Sequence, residues 1–454
     1  MTDSGTDGRS TRRRFVAGMG SAGTAALLAG CTSGGGGDGS GGGGGTGEGA
    51  DGDTPTAGGG TTESFDADLT LSGWAANNEE SALLEELIAD FEAEHEGISV
   101  DYSPVQSKYK QKIKTQLGAG NAPDVFYVDS GYFPSFASAG VLLSLDDLAG
   151  SGGYSTDDFF DPLLEAFRFD GTLYGVPKDF STLGLFHNTA MFEEAGVEPP
   201  ETWSDLRTAL SALNENVTGD SFKTPMVEYA NGRSWWAFLY QNGGQVLSDD
   251  GSEAVFASDA GVEALEYLVG LKEDGLLAVP SELGAGWHGA ALASEEVATA
   301  ILGPWGLPFI EGYEKNEGID DRIDVAHLPT PGGGQKATIA YTVSYSVSAN
   351  TDAPGAAKEL VRSLTSDEGM AEWARKGLAL SARKSHRDLD YYDEHPRRKT
   401  LLEAGEWSRP FSFGPESESI ANRIRPELEA AMLGEKSPAD ALSTAQKKIN
   451  SEVL

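Results

Sequence analysis

Apolar and polar residues alternate over 69–74 and again over 98–102, the two-residue period of half-buried strands. Between them Leu84, Leu87, Ile88 and Phe91 recur at the i, i+3, i+4, i+7 spacing of one helix face. Asn77 and Asn78 stand where they could cap that helix, and Gly97 where it would end. A second helix, dotted with Lys108, Lys110, Lys112 and Lys114, leads through Asn121-Ala-Pro-Asp to the apolar run 125–128, read as a buried strand. The order β-α-β-α-β predicts a mainly parallel sheet with right-handed crossovers. Ligands of such sheets sit beyond the carboxyl ends of the strands, here 74–79 and 128–132. No segment recurs at the roughly 20–50 residue period of repeat architectures.

Ahead of the first strand the pattern fails. Residues 32–63 hold sixteen glycines among Ser, Thr, Asp and Glu, so no face there can be buried, and 31–65 reads as a flexible tether. Residues 1–30 carry Arg12-Arg13-Arg14-Phe15, a twin-arginine pattern, then a weakly apolar Gly/Ala stretch too short for the roughly 20 apolar residues of a spanning helix. They end in Leu28-Ala29-Gly30-Cys31, a match to the box at which lipoprotein signals are cleaved. Cys31 is the only cysteine, and the expectation is export followed by lipidation of Cys31 on the outer face of the cell membrane. About 390 residues then remain to fold, more than one core usually holds, which predicts two lobes.

The formal charge of −38, from 71 acidic against 33 basic residues, argues against nucleic acid or an anionic membrane surface as partner. Acidic residues run along the whole chain, the pattern of halophile surfaces, and this reads as adaptation to salt by an archaeon rather than as chemistry. The four lysines of the second helix fall at i, i+4 spacing and read as a solvated face.

Common catalytic signatures are missing: the chain has no Gly-Lys dipeptide for a phosphate loop, no His-Glu-x-x-His and no Gly-x-Ser-x-Gly. Its six histidines lack metal-ligand spacing, so neither a metal nor a cofactor is expected. Gly284-Ala-Gly-Trp-His-Gly289 matches a dinucleotide fingerprint but follows no strand, and reads as a turn into a helix. Asn216-Val217-Thr218 is a glycosylation sequon.

From Leu69 onward the order of motifs resembles family 1 of the extracellular solute-binding proteins, receptors of sugar ABC importers related to maltose- and glycerol-3-phosphate-binding proteins. The resemblance rests on Gly120-Asn-Ala-Pro-Asp-Val-Phe-Tyr-Val-Asp-Ser130, on Leu173-Tyr-Gly-Val-Pro-Lys-Asp179 with Phe186-His-Asn188, on Pro199-Pro-Glu-Thr-Trp-Ser-Asp-Leu206, and on Ile301-Leu-Gly-Pro-Trp305. The stretch 341–349, followed by Glu368-Gly369 and Trp373, fits as well. Leu380 stands where such receptors often have proline. The resemblance implies an α/β, two-lobed fold of the periplasmic-binding-protein type II class. Lobe 1 would combine 66–180 with 345–378, and lobe 2 would combine 184–340 with 384–454. Hinge crossings are expected at 179–184, 341–346 and 377–383, with closure around ligand. It further implies partners: the permease subunits of an ABC importer with their cytoplasmic ATPase, a monomeric receptor, and a sugar as cargo.

Sugars present apolar C–H faces and fixed hydroxyls, so their sites combine aromatic platforms with carboxylates, amides and basic groups. Aromatic candidates at expected strand and loop ends are Trp74, Tyr127, Tyr132, Trp235, Trp236, Trp305, Tyr341 and Tyr345. Polar candidates are Asn77, Glu79, Asp129, Ser130, Lys178, Asp179 and Arg383. A tryptophan is more often core than platform; Trp235 and Trp236 diverge by roughly 100° on a helix, so one of them at most need face the site. Trp203 and Trp407 read as packing residues, and Lys178 beside Asp179 reads equally as a salt bridge. A receptor for glycerol phosphate or another anion, resting on Lys178 or Arg383, an exported glycan-acting enzyme, and a passive surface protein are the alternatives.

Overall fold

The computed structural model describes residues 66–74, 77–150 and 154–454. The twin-arginine segment, Cys31 and the tether lie outside the described residues.

In chain order the strands are β1 (Ala67–Ser72), β2 (Ile98–Tyr102), β3 (Val125–Asp129), β4 (Arg168–Phe169), β5 (Thr172–Leu173), β6 (Gly175–Thr182), β7 (Gly184–Asn188), β8 (Thr224–Val227), β9 (Leu277–Ala278), β10 (Val297–Leu302), β11 (Ile323–Ala326), β12 (Thr338–Val347) and β13 (Ser408–Pro410). The β-α-β-α-β start holds: β1 pairs in parallel with β2 and with β3. The helix between β1 and β2, Asn78–Glu94, buries Leu83, Leu84, Ile88 and Phe91, and the Asn77 side chain caps it by accepting from the Glu80 amide at 2.8 Å. The lysine-bearing helix Tyr109–Ala119 stops at Gly120, whose φ of 72° is the left-handed conformation that glycine supplies most readily.

Two sheets organise the lobes. The first runs β13-β12-β3-β1-β2 with β6 on β12, and the second β11-β7-β10-β8-β9. Each is mixed, because β12 lies antiparallel to β3 and β6, and β7 antiparallel to β10 and β11. Only Leu183 separates β6 from β7, so the chain passes from one sheet to the other in a single residue, inside the expected 179–184 crossing. There Thr338 Oγ1 donates to the Leu183 carbonyl at 2.9 Å, joining the two chain passages. The return passage lies before the expected 341–346: β11 ends at Ala326, and all of β12 from Thr338 belongs to the first sheet.

The loop after Gly377 runs beside β6, with the Phe180 amide donating to the Leu380 carbonyl at 3.2 Å. Residues 384–410, expected with lobe 2, divide between the sheets. Arg397 bonds to Asp320 at 2.6 Å and Arg398 to Glu311 at 3.0 Å, on the side of the second sheet, whereas β13 extends the first sheet on β12. From Ser417 the helices Ser417–Met432 and Pro438–Glu452 contribute Ile424, Leu428 and Leu442 to a hydrophobic cluster around Leu206, Phe238 and Leu268. Gly284 ends a short helix with φ 73°, and the next helix begins at His288, so the fingerprint-like segment is a turn between helices. Among the described residues no helix is long and apolar enough to cross a membrane.

Candidate functional site

A cleft of about 510 Å³ is lined from both sheets. Trp74 follows β1, Asp129 ends β3, and Lys178 and Asp179 lie on β6 beside Tyr341 of β12; across from them Pro304 and Trp305 follow β10, and Arg233 follows β8. Most of these positions are carboxyl ends of parallel strands, where backbone groups and side chains converge on one crevice. A larger hollow of about 690 Å³ lies elsewhere, between the 243–251 loop, Arg409 and Leu454. Its aromatic lining is Tyr240 and Phe413, whereas the cleft gathers Trp74, Trp305 and Tyr341 with Asp129, Lys178 and Asp179 from both sheets, and the cleft is the candidate site.

On the first wall Trp74 meets Tyr109 and Tyr127 edge-on, at ring separations of 5.0 and 5.3 Å. Gly73 permits this: a Cβ there would fall 2.7 Å from Tyr127 Cζ. Tyr127 and Tyr345 are buried and meet edge-on at 5.3 Å, a layer beneath the wall rather than its surface. Lys178 bonds to Asp179, and its ammonium lies 4.9 Å from the ring centres of both Tyr127 and Trp373. Burial alone would lower the Lys178 pKa, but the Asp179 carboxylate, joined by Tyr345 and Glu80, outweighs it and the net shift is upward. Asp129 is the reverse case: burial pushes its carboxyl up to about 6, against the opposing effect of the Gly131 amide that donates to it at 2.8 Å.

From the second wall Trp305 reaches Tyr341 of β12 on the first, the two rings 6.1 Å apart at 65°. The Arg233 guanidinium lies over both, 4.8 Å from Trp305 and 5.1 Å from Tyr341, and its Nε donates to the Tyr341 hydroxyl at 3.3 Å. Arg398 reaches the cleft rim while bonding to Glu311 at 3.0 Å. Together the walls offer flat aromatic faces, a carboxyl, an ion pair and a guanidinium, a set suited to a polar ligand with apolar faces.

The structure thus gathers Trp74, Asn77, Asp129, Lys178, Asp179, Trp305 and Tyr341 at one cleft. Glu79 is exposed on the capped helix, and its neighbour Glu80 lines the cleft instead. Ser130 is buried and Tyr132 packs beside Phe136, so both stand behind the surface. Trp235 and Trp236 are corrected outright: both are buried, Trp235 donating to the Gly261 carbonyl at 3.1 Å and Trp236 stacked on Phe413 at 4.9 Å. Arg383 is corrected too. It is buried over Phe159, bonding to Asp158 at 3.2 Å and to the Thr365 carbonyl at 2.7 Å. Trp203 is buried as a packing residue, stacked on Tyr267 at 4.8 Å. Arg233 and Arg398 escaped the sequence reading. The strand-end rule would have reached Arg233, six residues past Val227, had 224–227 been recognised as a strand.

Similarity to known proteins places the chain in a family. Over 355 residues it is 24% identical to the diacetylchitobiose binding protein DasA of Streptomyces coelicolor, covering 72% of this chain and 76% of that one. It is 23% identical over 327 residues to the multiple sugar-binding protein of Streptococcus mutans, 67% and 73% of the two chains. Among solved structures, the sugar-binding protein MalE from Xanthomonas citri matches with a TM-score of 0.77 at 22% identity, over 85% of this chain and 97% of that one. The cyclic alpha-maltosyl-1,6-maltose binding protein from Arthrobacter globiformis gives a TM-score of 0.74 at 23% identity, over 85% and 99%. These two likenesses establish the fold. The model of the bacterial extracellular solute-binding protein family matches residues 75–371, spanning both walls of the cleft, and the chain belongs to that family.

Proposed function

We propose that this chain is the solute receptor of an ABC importer and that it captures a sugar, a mono- or oligosaccharide, in the cleft between its two sheets. One observation carries the reading: Trp74 and Tyr341 from one wall and Trp305 from the other converge on the same crevice as Asp129 and the Lys178–Asp179 pair. Two aromatic walls can sandwich the C–H faces of a pyranose while the polar groups hold its hydroxyls. The names of the relatives, a diacetylchitobiose binding protein and a multiple sugar-binding protein, support the same class of cargo. In this reading the lobes close by bending where the chain passes between sheets, at Leu183 and over 327–337. The twin-arginine segment exports the chain, Cys31 carries the lipid, the tether holds the domain clear of the outer membrane face, and the monomer presents its cargo to the permease subunits.

The anion alternative loses its two named cations, since Lys178 is bonded to Asp179 and Arg383 is packed elsewhere. The test is a thermal-shift panel on the full-length chain in molar salt, with mono- and disaccharides, glycerol phosphate and simple anions. A ligand at 100 times its Kd adds about 2.7 kcal/mol, a rise of a few degrees at this size. A rise with a saccharide, returned unchanged after long incubation, supports the receptor reading. A rise with anions alone overturns the sugar, and turnover of the saccharide overturns the receptor in favour of an enzyme.

A further inference from the structure

In a chain with more than twice as many acidic as basic residues, an arginine seldom lacks a carboxylate. The lysines and arginines here that form no ion pair among the described residues are, with one exception, exposed; Lys108, Lys315, Lys336, Arg409 and Arg425 are examples. The exception is Arg233, half-buried and in the cleft. Its only hydrogen bond among the described residues is from Nε to the Tyr341 hydroxyl, which leaves the terminal amino groups without an acceptor. The guanidinium carbon lies 4.8 Å from the Trp305 ring centre and 5.1 Å from that of Tyr341, and Nε is tied to the Tyr341 hydroxyl, so the group is held in place while its two terminal amino groups are left for a partner. Arg398, the other arginine of the cleft, is by contrast already bonded to Glu311.

Three neighbouring acids, Asp179, Asp129 and Glu228, do not supply that partner. Asp179 is bonded to Lys178 and Asp129 accepts from the Gly131 amide. Glu228, which feels the charge of Arg233, is buried and accepts from the Tyr229 amide at 2.8 Å without an ion pair to it; burial raises its carboxyl to about 7. A half-buried guanidinium anchored through Nε, with both terminal amino groups unspent, is the arrangement that takes an oxyanion in a forked pair of hydrogen bonds.

We infer that the saccharide taken by this cleft carries an oxyanion, a carboxylate or a phosphate, and that Arg233 is the residue that selects for it. The inference rests on the receptor reading and narrows its substrate class. The aromatic faces and the carboxyl of Asp129 then hold the sugar ring and its hydroxyls, while Arg233 holds the charge. The strongly negative chain repels a free anion at long range, but at high ionic strength that repulsion is screened within a few ångströms, and the short-range pair persists.

The test is calorimetric titration of the full-length chain with uronate disaccharides, with their neutral parents and with hexose phosphates, at several salt concentrations. The expected result is a preference for one charged form over its neutral parent of at least about ten-fold, the carboxylate and phosphate arms identifying which oxyanion is bound. Within the molar range the charged ligand should lose affinity as salt rises while the neutral parent holds its own, a measurement that needs no variant. In Arg233→Gln the preference should shrink to about two-fold, with partial recovery in Arg233→Lys, which keeps the charge but not the fork. Neutral parents binding as tightly as charged ones, or a preference that survives Arg233→Gln, would overturn the inference and leave the sugar receptor standing. If no saccharide of any kind binds, the receptor reading falls and this inference falls with it.

Discussion

Lys178 and Asp179 are consecutive residues of one strand, yet their side chains bond to each other at the cleft wall. Neighbours in a regular strand point to opposite faces, so they should not meet. The register explains the exception: Val343 of β12 pairs with Asp179 and Ser344 with Pro177, which leaves Lys178 as the extra residue of a β-bulge. The bulge re-aims the side chains, and the rings of Tyr127 and Trp373 flank the ammonium.

Breaking that pair from one side should be costly. Lys178 is 9% exposed in its side chain, so Lys178→Met would strand the Asp179 carboxylate and lower stability by about 3 kcal/mol. Adding Asp179→Asn should recover much of the loss, because a neutral amide tolerates the site better than an unpaired charge. A double-mutant cycle by urea denaturation checks this; strictly additive effects would rule out the coupling.

Asp129 should carry a pH signature. Its folded pKa of about 6 lies above the ordinary carboxylate value, so the folded state binds its proton more tightly than the unfolded chain does. The sign follows: the group costs no stability below the unfolded pKa, and a penalty develops as pH rises through the folded value. Asp129→Asn should therefore be more stable than the parent at pH 7, by about 1 kcal/mol given contact with cleft water, with the gain vanishing near pH 4. Urea midpoints at both pH values measure it, and a gain that is the same at both would contradict the assignment.

Trp305 and Trp236 should separate binding from folding. Trp305→Ala removes one aromatic face of the cleft and should weaken saccharide binding by roughly 10- to 100-fold with a small change in Tm. Trp236→Ala empties a buried site against Phe411 and Phe413 and should cost about 3–5 kcal/mol of stability. Calorimetry and thermal denaturation of both variants distinguish the roles, and the reverse pattern would exchange them.

Arg383→Met tests the correction made to that residue. Removing the guanidinium leaves the Thr365 carbonyl without its donor and Asp158 without its ion pair, so stability should fall by about 2–3 kcal/mol. Ligand affinity, measured where the variant is still folded, should stay within about two-fold of the parent, since Arg383 does not line the cleft. A large loss of affinity in a folded variant would return Arg383 to the binding site.

A Cβ on Gly73 is the smallest change that should disturb the first wall. It would meet the Tyr127 ring, so Gly73→Ala must displace Tyr127 or Trp74, at a cost of about 1–3 kcal/mol and with weaker binding. A crystal structure of the variant with Trp74 unmoved and affinity unchanged would refute this.

Short-range periodicity made legible the β-α-β-α-β opening, the Asn77 cap, and Trp74 and Asp129 as strand-end residues. These depend on which residues recur on one face of one element and on local hydrogen bonds, both written within a dozen positions. Trp305 and Tyr341 came from the resemblance in motif order. Which faces other elements cover was set by contacts distant in sequence. Trp236 looks like a platform until Phe411 and Phe413, about 175 positions later, close over it. Arg383 becomes a packing residue because Asp158 and Thr365 reach it, Lys178 turns toward Asp179 because β12 pairs out of step, and Arg233 enters the cleft because Trp305 and Tyr341 hold it there. Those partners are brought together by strand order, and strand order depends on burial summed over the whole chain, which no local window contains.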